Sequence, residues 1–106
     1  MSQDFDVDVE DPEVEEEDRL EFQEPKMFSV LFMNDDYTPM NFVTDMLMQY
    51  HGKSEEQATA IMLDVHEKGM GVAGIYTSEI AETKVYIVNQ LAEKSGYPLK
   101  TVMQEN

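Results

Sequence analysis

The run Val30-Leu31-Phe32-Met33-Asn34-Asp35-Asp36-Tyr37-Thr38-Pro39-Met40 constrains this chain more than any other stretch. An apolar segment stops abruptly at three polar residues, and a helix-start signal follows at once. Val30, Leu31 and Phe32 read as a buried strand. Asn34, Asp35 and Asp36 favour a turn because their short side chains bond nearby backbone. Thr38-Pro39 reads as an N-cap followed by proline at the first helical position, where the missing N–H costs nothing. A strand-to-helix corner of this kind holds acidic and amide side chains rigidly at one end of a core. On spacing alone the same residues also fit a plain turn that joins two elements.

The elements on either side follow from periodicity and punctuation. Met27–Met33 is expected to be the first strand. A first helix runs from Met40 to about Gln49 or Tyr50, with Val43, Met46, Leu47 and Tyr50 on one face, and His51-Gly52 closes it. Ser54 opens a second helix, with Gln57 three residues on completing a capping box. Ala58, Ile61, Met62, Val65 and His66 continue at helical spacing, and Gly69 is placed to cap the end. Gly71–Tyr76 reads as a second strand, its glycines marking close approach of another backbone. Thr77 or Ser78 caps a third helix that runs to about Ser95, with Ala81, Val85, Val88 and Ala92 facing inward. Gly96 and Pro98 stop it, and Leu99–Gln104 is a short third strand. The order βααβαβ predicts an α+β domain: a three-stranded antiparallel sheet with three helices packed on one face.

The first 26 residues break this pattern. They hold 12 of the 23 acidic residues against only Arg19 and Lys26, and Phe5, Val7, Val9, Val14, Leu20 and Phe22 are scattered without a sustained period. Such a segment buries too little apolar surface to offset its ordering entropy. With Pro25 as the boundary, residues 1–25 are expected to form a disordered acidic extension and residues 26–106 one core domain. The extension serves either as a solubilising tail or as an arm that a partner grips. The formal net charge of −16 argues against nucleic acid and anionic membrane as partners. With no cysteine there is neither a disulfide framework nor thiol chemistry. No apolar run is long enough to span a membrane, and the N-terminus lacks the basic flank and apolar core of a signal peptide. A cytoplasmic, monomeric protein is the expectation.

Two groups of residues carry possible chemistry. His66 lies on the apolar stripe of the second helix, where a partly buried imidazole must find a partner. It is either a satisfied core histidine or an acceptor at the mouth of an apolar pocket. Asn34, Asp35 and Asp36 fit three uses: metal binding, acid–base work, or accepting hydrogen bonds from an ammonium. A metal site needs more ligands at workable spacing, and only two histidines exist. An Asp-Asp pair with no nucleophile or phosphate loop is a weak signal for hydrolysis. An ammonium site needs only acceptors beside apolar surface. Asn34, Asp35 and His66 supply the acceptors, and Met40, Val43 and Met62 the surface. The runner-up is a metal-dependent hydrolase built on Asp35, Asp36 and His66.

The sequence resembles the ClpS family, bacterial adaptors that deliver N-degron substrates to the ClpAP protease. The resemblance rests on Asn34-Asp35-Asp36-Tyr37-Thr38-Pro39-Met40-Asn41-Phe42-Val43, on Met62-Leu63-Asp64-Val65-His66 with Gly69, on Tyr76-Thr77-Ser78-Glu79-Ile80-Ala81-Glu82-Thr83-Lys84-Val85, and on Pro98-Leu99. It covers about residues 26–104. It implies an adaptor with no cofactor and no bound metal, and not an enzyme. Asn34, Asp35 and His66 would hold the free α-amino group of a substrate's first residue. Asp36, Thr38, Pro39, Met40, Val43, Met62, Val65 and Leu99 would line the pocket for its side chain, which would be Leu, Phe, Tyr or Trp. Glu79, Glu82, Thr83 and Lys84 would lie on the helix facing the N-terminal domain of the ClpA unfoldase. Without the resemblance, those charges read as a solvated helix face.

Overall fold

A computed structural model describes residues 24–106. The expected disorder of the acidic extension therefore lies outside the described residues, Glu24 and Pro25 excepted. The elements run β1 (Met27–Met33), α1 (Met40–His51), α2 (Glu55–Lys68), β2 (Met70–Thr77), α3 (Ser78–Lys94) and β3 (Lys100–Glu105). This is the expected α+β order, with boundaries within a residue or two of the periodicity.

The most apolar strand takes the centre. β1 pairs antiparallel with β2 on one side and β3 on the other. Phe28, Val30 and Phe32 point toward the helices, and the last two are fully buried in one cluster with Val43, Met46, Leu47, Val65, Val88 and Leu99. Alternation sends Ser29 and Leu31 to the other face. The β1–β2 register shifts between Val30 and Leu31, so Ala73 is left over on β2. That bulge keeps both Gly71 and Tyr76 on the helical side. Glycine is required at 71 because a Cβ there would lie 2.9 Å from a Val65 methyl and 3.0 Å from the Ile61 carbonyl. The helix therefore packs directly on bare β2 backbone.

Local signals fix the helix ends. Ser54 Oγ accepts from the Gln57 N–H at 3.1 Å, and Gln57 Oε1 accepts from the Ser54 N–H at 3.0 Å, the reciprocal box expected. Gly52 and Gly69 adopt φ of 63° and 95°, conformations that side chains disfavour. The start of α1 differs from expectation. Pro39, not Thr38, occupies the N-cap, and no side chain caps the helix. Asp35 captures Thr38 first: Asp35 Oδ2 accepts from Thr38 Oγ1 at 2.8 Å. A hydroxyl held by that carboxylate is not free to cap.

At the opposite edge, Asn89 on α3 clamps the start of β3. Its Oδ1 accepts from the Thr101 N–H at 2.8 Å, and its Nδ2 donates to the Thr101 carbonyl at 3.1 Å. This pins buried Leu99, two residues upstream, beneath the β1–α1 corner.

Candidate functional site

The corner between β1 and α1 is built around one carboxylate. Asp35 Oδ1 accepts from the backbone N–H of Tyr37 at 2.8 Å and of Thr38 at 2.7 Å, while Oδ2 takes the Thr38 hydroxyl. Partial burial alone would raise the pKa of this acid. The hydrogen bonds from Thr38 and Tyr37 outweigh it and hold the carboxyl below its ordinary value. Asp35 is therefore a fixed negative charge. A carboxylate has about four lone-pair sites, so three bonds leave about one acceptor position on Oδ2. The corner is tied to α2 as well, because the Asn34 N–H donates to the Gly69 carbonyl at 2.9 Å. Together with the pairing of Met33 and Met70, that bond holds the end of β1 beside the last turn of α2, which carries His66.

A cavity of about 180 Å³ opens between these parts. Its floor is the buried trio Val43, Val65 and Leu99, from α1, α2 and the approach to β3. Met62 and Met33 form half-buried walls, and Met40, 49% exposed, stands at the mouth. Asn34, Asp35, Asp36, Thr38 and His66 supply the polar lining. Residues from three separate parts of the sequence thus converge, apolar below and hydrogen-bonding above. Of the residues expected at this site, only Pro39 is not on the wall; it is occupied as the N-cap of α1. Met33 was missed. Its position as the last residue of β1, directly before Asn34, was the available signal.

Two expectations about histidine change. His66 is exposed, not partly buried. It follows Val65 by one residue, which rotates it about 100° off the buried stripe and onto the rim. The buried histidine is His51, 6% exposed at the end of α1, one turn beyond Leu47. Its Nδ1 lies 2.8 Å from the Tyr76 hydroxyl.

The donor set does not fit the hydrolase alternative. Among the described residues no three carboxylate, imidazole or thiol groups come together as a metal ligand set. Asp35, which that mechanism would need as a ligand or base, has most of its acceptor capacity committed to the turn.

A second cleft, about 280 Å³, lies on the outer side of α3 between Tyr50, Glu79, Ile80, Thr83, Lys84 and Ile87. Glu79, Glu82 and Thr83 are exposed, but Glu82 is outside the cleft. The Thr83 hydroxyl bonds back to the Glu79 carbonyl at 3.1 Å. Lys84 is half-buried and engaged, which a merely solvated face would not require.

Comparison with known proteins agrees with this architecture. The family model described as "ATP-dependent Clp protease adaptor protein ClpS" matches residues 23–102. The ATP-dependent Clp protease adapter protein ClpS of Bdellovibrio bacteriovorus is 58% identical over 81 residues, covering 76% of this chain and 71% of that protein. Its namesake in Oleidesulfovibrio alaskensis is 54% identical over 85 residues, 80% of this chain and 82% of that one. Agrobacterium tumefaciens ClpS2, solved bound to L-phenylalaninamide, superposes with a TM-score of 0.76 at 34% identity, covering 78% of this chain and all of that one. No helix among the described residues is long and apolar enough to cross a membrane. The chain belongs to the ClpS family of ATP-dependent Clp protease adaptor proteins.

Proposed function

We propose that this protein binds the free N-terminal residue of N-degron substrates, where that residue is Leu, Phe, Tyr or Trp, and delivers them to the ClpA unfoldase of ClpAP. The observation that carries the reading is the cavity with an apolar floor and a rim of acceptors. A hydrocarbon-lined cavity of roughly 150 Å³ holds a benzene molecule. One of about 180 Å³ suits a single bulky side chain and excludes a longer segment. The ligand in the Agrobacterium relative, L-phenylalaninamide, has a free amino group, a benzyl side chain and an amide, the features of a peptide's first residue.

The rim distinguishes a chain terminus from everything else. An α-ammonium brings three donors and a charge, whereas an internal peptide unit brings one donor and none. Asn34, His66 and the remaining acceptor position on Asp35 match the former. An internal residue would leave them desolvated and unpaired, which is costly. Asp35 adds its fixed charge whether or not it touches the ligand. In this reading the protein works by binding alone, as a monomer in the bacterial cytoplasm. Glu79, Glu82, Thr83 and Lys84 belong to the surface that meets the N-terminal domain of ClpA. The acidic extension, residues 1–25, acts in delivery.

Matched peptides beginning with Leu or Phe, one free and one acetylated, test the reading. The free peptide should bind and the acetylated one should not. Replacing His66→Ala should weaken the free peptide by about 10- to 100-fold, the worth of one hydrogen bond to a charged group. Equal binding of both peptides would sink the proposal.

A further inference from the structure

Lys84 is held from two sides by groups that no part of the adaptor reading has yet used. Its Nζ donates to the Tyr50 carbonyl at the end of α1 at 2.6 Å. The same ammonium stands 5.3 Å from the centroid of the Tyr76 ring, within cation–π range. That ring is itself fixed. Its hydroxyl meets Nδ1 of buried His51 at 2.8 Å. His51 in turn packs against Phe32 in the core, ring centroids 5.5 Å apart and nearly perpendicular. The ring lies back over Gly74, two residues earlier on the same face of β2, where any Cβ would overlap the ring and its hydroxyl. A glycine clears the space, a histidine anchors the far end, and a lysine from another helix sits on top.

We propose that Gly74, Tyr76 and His51 form a seat that fixes the Lys84 ammonium in one direction on the outer surface of α3. They are positioning residues: none belongs to the cleft where Glu79, Ile80 and Thr83 lie, yet each acts on it through Lys84. An ammonium has three donors, and Tyr50 takes one. Two remain for a partner's carboxylate or carbonyl, beside the exposed apolar side chain of Ile80. A free surface lysine loses most of its rotamer freedom when a partner pins it. Here that freedom is lost on folding, so docking need not repeat the cost. The consequence for delivery rests on the reading of α3 as the unfoldase-facing surface; the seat itself does not.

Competitive acetylation of the full chain with trace acetic anhydride tests the seat without any partner. Lys84 should label several-fold more slowly than exposed Lys94 and Lys100. Tyr76→Leu should raise the Lys84 rate toward theirs while leaving those two unchanged, in a variant whose circular dichroism and cooperative thermal unfolding show it to be folded. Tyr76→Phe keeps the ring, loses the bond to His51 and should fall between. If Lys84 labels as fast as Lys94 in the unaltered chain, or if Tyr76→Leu leaves its rate alone, the seat does not exist. Affinity for ClpA then reads the consequence as a double-mutant cycle. Tyr76→Leu should weaken binding by about threefold or more, and should do so far less when Lys84 is already Ala. Additive losses would show that the seat has no part in docking. A protected Lys84 whose replacement leaves ClpA affinity intact would overturn the docking role of α3 and leave the seat standing.

Discussion

Mild acid should loosen this fold through one residue, His51. Burial is the main cause, with the positive charges of Lys84 and Lys53 adding to it, and together they lower the imidazole pKa from 6.5 to about 4. In the unfolded chain the ring regains its ordinary value. Between those two values the unfolded state binds more protons, so falling pH favours it. The stability that neutral His51 contributes is complete above pH 6.5 and is lost as pH drops toward 4. At about 1.36 kcal/mol per pKa unit the full loss is roughly 3 kcal/mol, of which roughly 2 kcal/mol has gone by pH 5. For a domain of this size that is on the order of 10 °C in melting temperature. Urea denaturation followed by circular dichroism at pH 7.5, 6.5, 5.8 and 5.0 measures it. His51→Phe is the control, because it keeps an aromatic ring against Phe32 and removes the titration. The variant's baseline should be lower, since the Tyr76 hydroxyl loses its partner, but its stability should be nearly level across this range. His66 is unchanged in both proteins, so the difference isolates His51. Asp35, whose carboxyl is held below the ordinary carboxylate value, titrates outside the window. A wild-type stability that varies by less than about 0.5 kcal/mol from pH 7.5 to 5.0, against the roughly 2 kcal/mol expected, would refute the reasoning. So would an equal slope in the variant.

Other consequences are open to direct measurement. Met40→Ala should open the pocket mouth to β-branched first residues, raising affinity for Ile- or Val-initiated peptides by roughly tenfold; continued rejection of both, with Leu bound normally, would place the gate elsewhere. Asp35→Asn keeps an oxygen for the Tyr37 and Thr38 N–H groups but removes the charge. It should cost about 1 kcal/mol of stability and at least about tenfold in affinity for a free amino terminus, and a loss of stability alone would reduce Asp35 to a turn residue. Deleting residues 1–24 should leave peptide affinity unchanged and slow degradation by ClpAP, and full-rate delivery by the truncated chain would remove the extension from the mechanism. Asn89→Ala should cost about 1–3 kcal/mol of stability by orphaning the Thr101 backbone groups, and calorimetric unfolding would show if it does not.

Most of the fold could be read because its signals are local. The Ser54–Gln57 box, the glycines at 52 and 69 and the 3.6-residue stripes each act within one turn of chain, where propensity and packing agree. What the sequence hid depends on competition at slightly longer range. Thr38-Pro39 satisfies every local rule for a cap, yet Asp35, three residues upstream, holds the hydroxyl. His66 looked buried because Met62 and Val65 are near it, and His51 looked like a terminator because Gly52 follows. Only the packing of α1 against β1 and β2 decides that the ring at position 51 meets Phe32 and Tyr76, while the ring at 66 faces water.

The same competition explains how the candidate site is held in place by the protein itself. A rim made of free acceptors would hydrate and drift, and a ligand would have to reorder it. Here the Asp35 carboxylate is bound three times by its own turn, and the backbone of Asn34 is pinned to Gly69 across the gap to α2. The apolar floor is held independently, Leu99 through the Asn89 clamp and Val43 and Val65 through the core. Rim and floor are therefore fixed by different interactions, so altering one should leave the other in place. Met40, unbonded and half-exposed at the mouth, is the side chain free to adapt, and an unbranched thioether suits that task better than any β-branched residue would. In the proposed function the hydrogen-bonded rim would set which chain end is accepted, the packed floor the size of the side chain, and Met40 the tolerance between similar side chains.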